Sequence, residues 1–554
     1  MAKLPQPTPQ DLAWLGVAEG AALIRERKLS PVEWAQALID RIDGPGRALD
    51  AFIHTAPEQI LDGAREAERV SARARELGAL HGVPCAVKDI IETADMPTTA
   101  HSRLLKNRAP GIDAAVVERL RSAGALILGK TATHEFAHGG PSIDLPWPPA
   151  RNPWHPDHFP GGSSSGSGVA LAGGLAPAAL GTDTGGSIRI PAGLCGITGL
   201  KPTYGRVSRY GIFPLAPALD TAGPMARSAR DCALLLQVLA GHDARDPASA
   251  HKSVPNYSAG LDGDLRGVRI GVIRHFWETD ARVHADAAAA MDRAIEVLTA
   301  RGAATVNVRL APLLEYGDVR ALVQEAEAFA IYQRVLRDSI DHFGSDFLAR
   351  ILPACLVPAA AQVQASRKRR LLIDQMRAAL NDVDALVTIG TGPAARFDAP
   401  DTHGALYSLW SDRPNIPAPF SVTGFPTLSL CNGFARNGLP TSMQIAGRPW
   451  DEAMVLKVAD AFQRETDWHS RHPPDPGPVS PVTLAAPSPA EPVGEDIEQW
   501  VTASLRLAQL RLRPEHRALI LAAAPRVQRA IERLGTIDNR YSETAGLFSL
   551  ASAD

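Results

Sequence analysis

Cysteine is scarce in this chain of 554 residues: there are five, at 85, 195, 232, 355 and 431, and no CxxC pair. That excludes a disulfide framework and a thiolate zinc site, and fits a reducing, cytoplasmic setting. No apolar run approaches the ~18 residues of a membrane span. The opening MAKLPQPTPQDLAW lacks the charged-then-apolar order of a secretory signal. An excess of one charge is missing too. Lys plus Arg total 57 against 60 Asp plus Glu, a net charge of −3, so nothing favours nucleic acid or an anionic membrane as a partner. Lysine itself is rare, nine residues against 48 arginines, so chemistry that needs a lysine falls on a scarce residue.

What is present is the balance of a soluble globular protein, with 45% hydrophobic and 21% charged residues. The length exceeds one domain of about 150 residues. Residues 1–75 read as helical. In SPVEWAQALIDRI (30–42), Ser30 stands as N-cap, Pro31 takes the first helical position, and Trp34, Leu38 and Ile42 recur every fourth residue. From about residue 83 short apolar runs alternate with helical stretches. Expected strands include 82–90, 124–131, 175–184, 266–273 and 384–391; 113–124 and 284–302 read as helices. This alternation predicts an α/β fold, a mixed, largely parallel sheet flanked by helices, over 1–471. Residues 472–494, rich in proline, predict a semi-stiff linker. A small all-helical segment follows over 495–554, with stripes Ile497, Val501, Leu505, Ala508 and Ile520, Val527, Ile531, Leu534. Two such helices cannot bury their stripes on each other alone, so docking on the chain's own body or on a neighbouring subunit is expected.

Two Gly/Ser clusters, 161–168 and 181–187, flank a short apolar passage within PGGSSSGSGVALAGGLAPAALGTDTGGSIRIPAGLCGITGLKPTYGRVS (160–208). Such density supplies backbone N–H groups, tight turns and small hydroxyls, the parts of an oxyanion-binding nest around a serine. A connector that only lets helix and sheet approach closely would have the same composition. Two other motifs compete. HEFAH (134–138) matches the zinc-protease H-E-x-x-H, yet Gly139, Gly140 and Pro141 end any helix there, which leaves a loop over a pocket. GSSSG (162–166) matches the nucleophile elbow G-x-S-x-G, but HPDHFP before it is a poor strand. No phosphate-cradling G-x-x-x-x-G-K-[ST] exists.

The 160–208 segment resembles the signature of the amidase signature family, with GGSS, GTD-GGS-R-PA and G-KPT-GRVS all in place. GVPCAVKD (82–89), GALILGKT with THEF (124–136), RNPW (151–154) and TGFPTLSL with its following GLP (423–440) extend the likeness over about 1–470. The resemblance implies hydrolysis of an amide C–N bond by a Ser–cis-Ser–Lys triad, through an acyl-enzyme and with no cofactor or metal. By position Ser187 is the nucleophile, Ser163 the bridging serine after a cis bond from Gly162, and Lys88 the base. The amides of Thr184, Gly185, Gly186 and Ser187 form the oxyanion hole, and Ser164, Asp183 and Arg189 support it. Ser165 departs from the family's usual glycine. A lysine acts as base only when neutral, which requires burial; the flanks Val83, Ala86, Val87, Ile90 and Ile91 are apolar.

The substrate is expected to be a small amide, urea-like or carboxylated, bound by variable segments near 138–150 and 310–420. His138 and Arg350 are candidate substrate contacts, Arg350 by its resemblance in register to the family's glutamine-using amidotransferases. The C-terminal segment resembles the small helical subunits that accompany some family members. The alternative function is therefore the glutaminase subunit of a tRNA-dependent amidotransferase, and homo-oligomers are compatible with either.

Overall fold

The computed structural model describes residues 9–74, 76–399, 410, 412–485 and 492–535. The first eight residues of the expected helical part, 400–409 and 411 of the variable segment, 486–491 of the expected linker and 536–554 of the tail lie outside the described residues.

The helix Pro31–Asp43 forms where a cap, an N1 proline and four-residue apolar spacing coincide. The Ser30 hydroxyl accepts from the Val32 and Glu33 amides at 3.1 and 3.3 Å, filling donors that a helix start leaves orphaned. Trp34 and Leu38 are fully buried beneath it. The first 75 residues are not all helical, however. Phe52–Thr55 is a strand (β1), antiparallel to a sheet strand at 126–131. Its aromatic and β-branched residues fit a half-buried sheet edge, where pairing overrides the helical context.

Ten further strands among the described residues complete the sheet. They are β2 (Pro84–Lys88), β3 (Leu126–Thr131), β4 (Ala178–Asp183), β5 (Thr198–Lys201), β6 (Thr221–Ala226), β7 (Arg269–Val272), β8 (Ala304–Asn307), β9 (Ala385–Ile389), β10 (Thr427–Phe434) and β11 (Pro440–Gly447). The order is β1-β3-β2-β4-β6-β5-β10-β11-β9-β7-β8. The sheet is mixed and flanked by helices, as the alternation predicts, but it is not largely parallel. β2–β3, β2–β4, β7–β8 and β7–β9 pair in parallel; the other six pairings are antiparallel. Short links such as the one between β10 and β11 allow only antiparallel return, whereas parallel neighbours need a crossover.

β2 lies between two parallel neighbours, with Cys85 opposite Ala178 and Lys88 opposite Thr131. All five of its residues are buried, which is why it reads as a continuous apolar run rather than an alternating one. Lys88 ends β2 and Asp183 ends β4, so both face the carboxyl edge of the parallel strands, where α/β sheets gather their ligands. The helix Ser165–Ala172, buried over its whole length, packs on β2, β3 and β4, and the short helix Arg189–Cys195 lies against it. Among the described residues no single helix is long and apolar enough to cross a membrane.

Residues 472–485 carry no regular structure, and the helices Glu495–Ala508 and Pro514–Leu534 follow. Ile497, Val501, Leu505, Ile520 and Val527 are buried. The second helix runs through Pro525 and touches the long helix Leu313–Ser339. There Arg533 makes a two-pronged pair with Asp318, both contacts 2.8 Å, and also meets Asp412 at 2.8 Å.

Candidate active site

Each Gly/Ser cluster lies in a link at the carboxyl edge of the sheet. The first leads into the helix Ser165–Ala172, and its Gly162–Ser163 peptide is cis. The second leaves β4 and enters the helix Arg189–Cys195. Ser164 joins the two: its amide donates to the Ser187 carbonyl at 3.2 Å, and its hydroxyl lies 3.2 Å from both the Thr182 amide and carbonyl. Ser165 Oγ donates to the Ala132 carbonyl at 3.3 Å, fastening the first cluster to the residue after β3.

Lys88 Nζ donates to Ser163 Oγ at 2.8 Å and to Thr182 Oγ1 at 2.7 Å. The side chain is fully buried. Burial pushes the ammonium down to about 7, against the pull of the Asp183 and Asp220 carboxylates. Half the lysine is then neutral near physiological pH, as a base must be. Its sequence neighbour Asp89 does not hold it. Asp89 accepts from the Thr99 hydroxyl and lies 3.5 Å from Lys130 Nζ, leaving Lys88 to Ser163 and Thr182.

Asp183 and Arg189 brace the second cluster. Nε and one terminal nitrogen of the guanidinium each reach an Asp183 oxygen at 3.0 Å. The same guanidinium donates to the Pro417 carbonyl, Gln444 Oε1 and Ser421 Oγ. Burial opposes ionisation of Asp183, yet Arg189, Lys201 and the Gly186 amide together hold its carboxyl below the usual range. The Gly186 N–H donates to Asp183 Oδ1 at 2.8 Å. That amide is thus engaged in shaping the loop. Thr184, Gly185 and Ser187 line the cavity beside it. Gly186 sits at φ +120°, and a Cβ there would meet the Pro417 ring at 2.7 Å, so only glycine fits.

Ser163 and Ser187 open into one cavity of about 320 Å³, the size of a small-molecule site. No hydrogen bond joins the two serines among the described residues. His138 and Arg350 line the same cavity. His138 Nε2 lies 3.1 Å from Glu325 Oε2, and Arg350 Nε lies 3.4 Å from Asp346. The HEFAH segment forms a 3-10 turn with Phe136 and Ala137 at positive φ, so His134 and His138 do not share a helical face. His134 Nδ1 bonds the Gly139 carbonyl at 2.7 Å. Among the described residues no cluster of three or more His, Cys, Asp or Glu forms a metal site.

Sequence reasoning missed several residues of the site. Thr182 shares Lys88 with Ser163. Arg320 and Gln324, one turn apart on the helix Leu313–Ser339, face the cavity, as do Arg413 and, from the C-terminal helix, Arg526, Ala530 and Arg533. No short motif marks them; only the i, i+4, i+7 spacing of 526, 530 and 533 gives one helical face.

Residues 33–456 match the family model described as Amidase. The chain is 38% identical over 488 residues to the A-type subunit of the glutamyl-tRNA(Gln) amidotransferase of Chloroflexus aggregans, covering 84% of this chain and 99% of that one. Against the corresponding protein of Roseiflexus castenholzii the identity is 40%, covering 83% and 97%. Among solved structures, peptide amidase from Stenotrophomonas maltophilia aligns with a TM-score of 0.69 and 32% identity, covering 83% and 98%. An s-triazine catabolic enzyme, solved in a vestigial protein complex, aligns at 0.76 with 29% identity, covering 81% and 98%.

Proposed function

The chain belongs to the amidase family, and from that premise we propose how its site cleaves an amide. Its reaction is hydrolysis of a carbon–nitrogen bond other than a peptide bond. The observation that carries the mechanism is the buried Lys88, pushed down to about 7 and 2.8 Å from Ser163. Neutral Lys88 takes the Ser163 proton while Ser163 takes that of Ser187, whose Oγ attacks the amide carbonyl. The tetrahedral oxyanion is met by the amides of Thr184, Gly185 and Ser187. On collapse the C–N bond breaks and the proton returns through Ser163 to the leaving nitrogen. Water then cleaves the acyl-enzyme by the same relay, giving the carboxylic acid and free Ser187. Ser164, Asp183 and Arg189 position the two loops.

The substrate is a small amide, urea-like or carboxylated, held by contacts that include His138 and Arg350. The C-terminal helices work on their own chain's body, a reading supported by the Arg533–Asp318 pair, and the five thiols, all unpaired, support a reducing cytoplasm. A second reading, a glutaminase subunit feeding ammonia to a partner that acts on aminoacyl-tRNA, is favoured by the identity to the A-type amidotransferase chains. Ammonia release from a panel of small amides, ureas and glutamine separates them. Release from a non-glutamine amide, lost in Ser187→Ala, supports the self-sufficient hydrolase. Release from glutamine alone, or only with a partner present, supports the second. Undiminished turnover by Ser187→Ala ends the triad assignment.

A further inference from the structure

The cleft in front of Ser187 is walled by two segments far apart in sequence. The inner wall is the helix Leu313–Ser339, and the outer wall is the helix Pro514–Leu534, which presents Arg526, Ala530 and Arg533. Five arginines line the cavity against one lining carboxylate among the described residues, that of Asp318. Asp318 is already taken by Arg533, and Arg350 lies against Asp346.

Arg320 stands apart. It is only 6% exposed; among the described residues its one hydrogen bond goes to Gln324 Oε1 at 3.3 Å, and its Nε is buried with no hydrogen-bond partner. A Cβ added to Gly185 would lie 2.6 Å from its guanidinium, so this cation sits beside the loop proposed to hold the oxyanion. A buried guanidinium with an unfilled donor is costly unless a ligand completes it. Burial, helped by the neighbouring Arg350, also draws Arg320 down to about 10, against the pull of Glu325 and Asp183. A planar fork of this kind recognises a carboxylate.

We propose that Arg320 and the C-terminal helix, through Arg526, form a carboxylate receptor within the substrate cleft, so that the preferred substrate is an anionic amide whose carboxylate lies a few bonds from the scissile carbonyl. This rests on the amidase reading for the position of Ser187, and it gives the C-terminal helix a part in substrate selection.

The test is equilibrium binding by calorimetry to full-length Ser187→Ala protein, with succinamate as the anionic probe and succinamide as its neutral twin. Succinamate is expected to bind at least tenfold more tightly. Arg320→Gln should remove that preference, Arg320→Lys should restore part of it, and Arg526→Ala should weaken succinamate alone by threefold or more. Melting curves on each variant identify any that fail to fold. Equal affinity for the two probes, or a preference that survives Arg320→Gln, overturns the receptor. An unchanged succinamate affinity in Arg526→Ala overturns the helix's part in it. Because binding needs no turnover, failure of the triad mechanism would show separately, as wild-type protein that binds succinamate and releases no ammonia from any amide.

Discussion

With Lys88 as the proposed base, activity and stability should depend on pH in the same direction. With the ammonium pushed down to about 7, kcat/KM should rise through pH 7 and level off on the alkaline side as the base becomes neutral. An acid optimum would rule out a neutral lysine. Lys88→Ala should cost several orders of magnitude in rate. For stability the sign follows from proton counting. Between about pH 7 and the unfolded value near 10.4 the unfolded chain binds more protons, so wild-type stability falls as pH falls through that window. Lys88→Met lacks this term. Its melting temperature relative to wild type should therefore climb between pH 10 and 7 and then stay constant, while activity is lost; a pH-independent difference would place the folded lysine at its ordinary value.

At the scale of elements, the link from β4 into the helix Arg189–Cys195 carries Ser187, the proposed nucleophile, on a backbone that only glycine permits at one point. Gly186→Ala must force a side chain into φ +120° and against the Pro417 ring, and should lower kcat more than tenfold with a loss of about 1–3 kcal/mol in stability. Wild-type kinetics in this variant would mean that the loop is not a rigid support for Ser187. The C-terminal helices are the second element to test. Deleting 472–554 should uncover the apolar body surface against which Ile497, Val501, Ile520 and Val527 are buried in the full chain, and so lower both solubility and melting temperature. An unchanged melting temperature would show that the tail adds nothing to the body.

At the scale of the whole molecule, most strands and helices were legible because each segment's local pattern agrees with its burial. β2, β3, β4 and β9 read as short apolar runs since both faces are covered, and Pro31–Asp43 reads from its cap and spacing. β1 was not legible, because a four-residue edge strand depends on a partner more than 70 residues away. The balance of parallel and antiparallel pairing was equally hidden, being set by chain crossings rather than by composition. Ser163, Ser187 and Lys88 could be named from motif likeness, and burial supplies the physical reason Lys88 suits the role. The lining arginines could not. Arg320 and Arg526 belong to ordinary amphipathic helices, and their convergence exists only once residues two hundred positions apart are folded together.

That convergence fixes the order in which the enzyme can be made. On the ribosome the loops of Ser163 and Ser187 emerge more than three hundred residues before the helix that closes the cleft. The nascent chain therefore presents the proposed nucleophile before the outer wall of its cleft has been made. If the proposed receptor is right, a message truncated before residue 514 would yield a chain with an open, unselective cleft, so its selectivity would depend on residues made well after the catalytic loops.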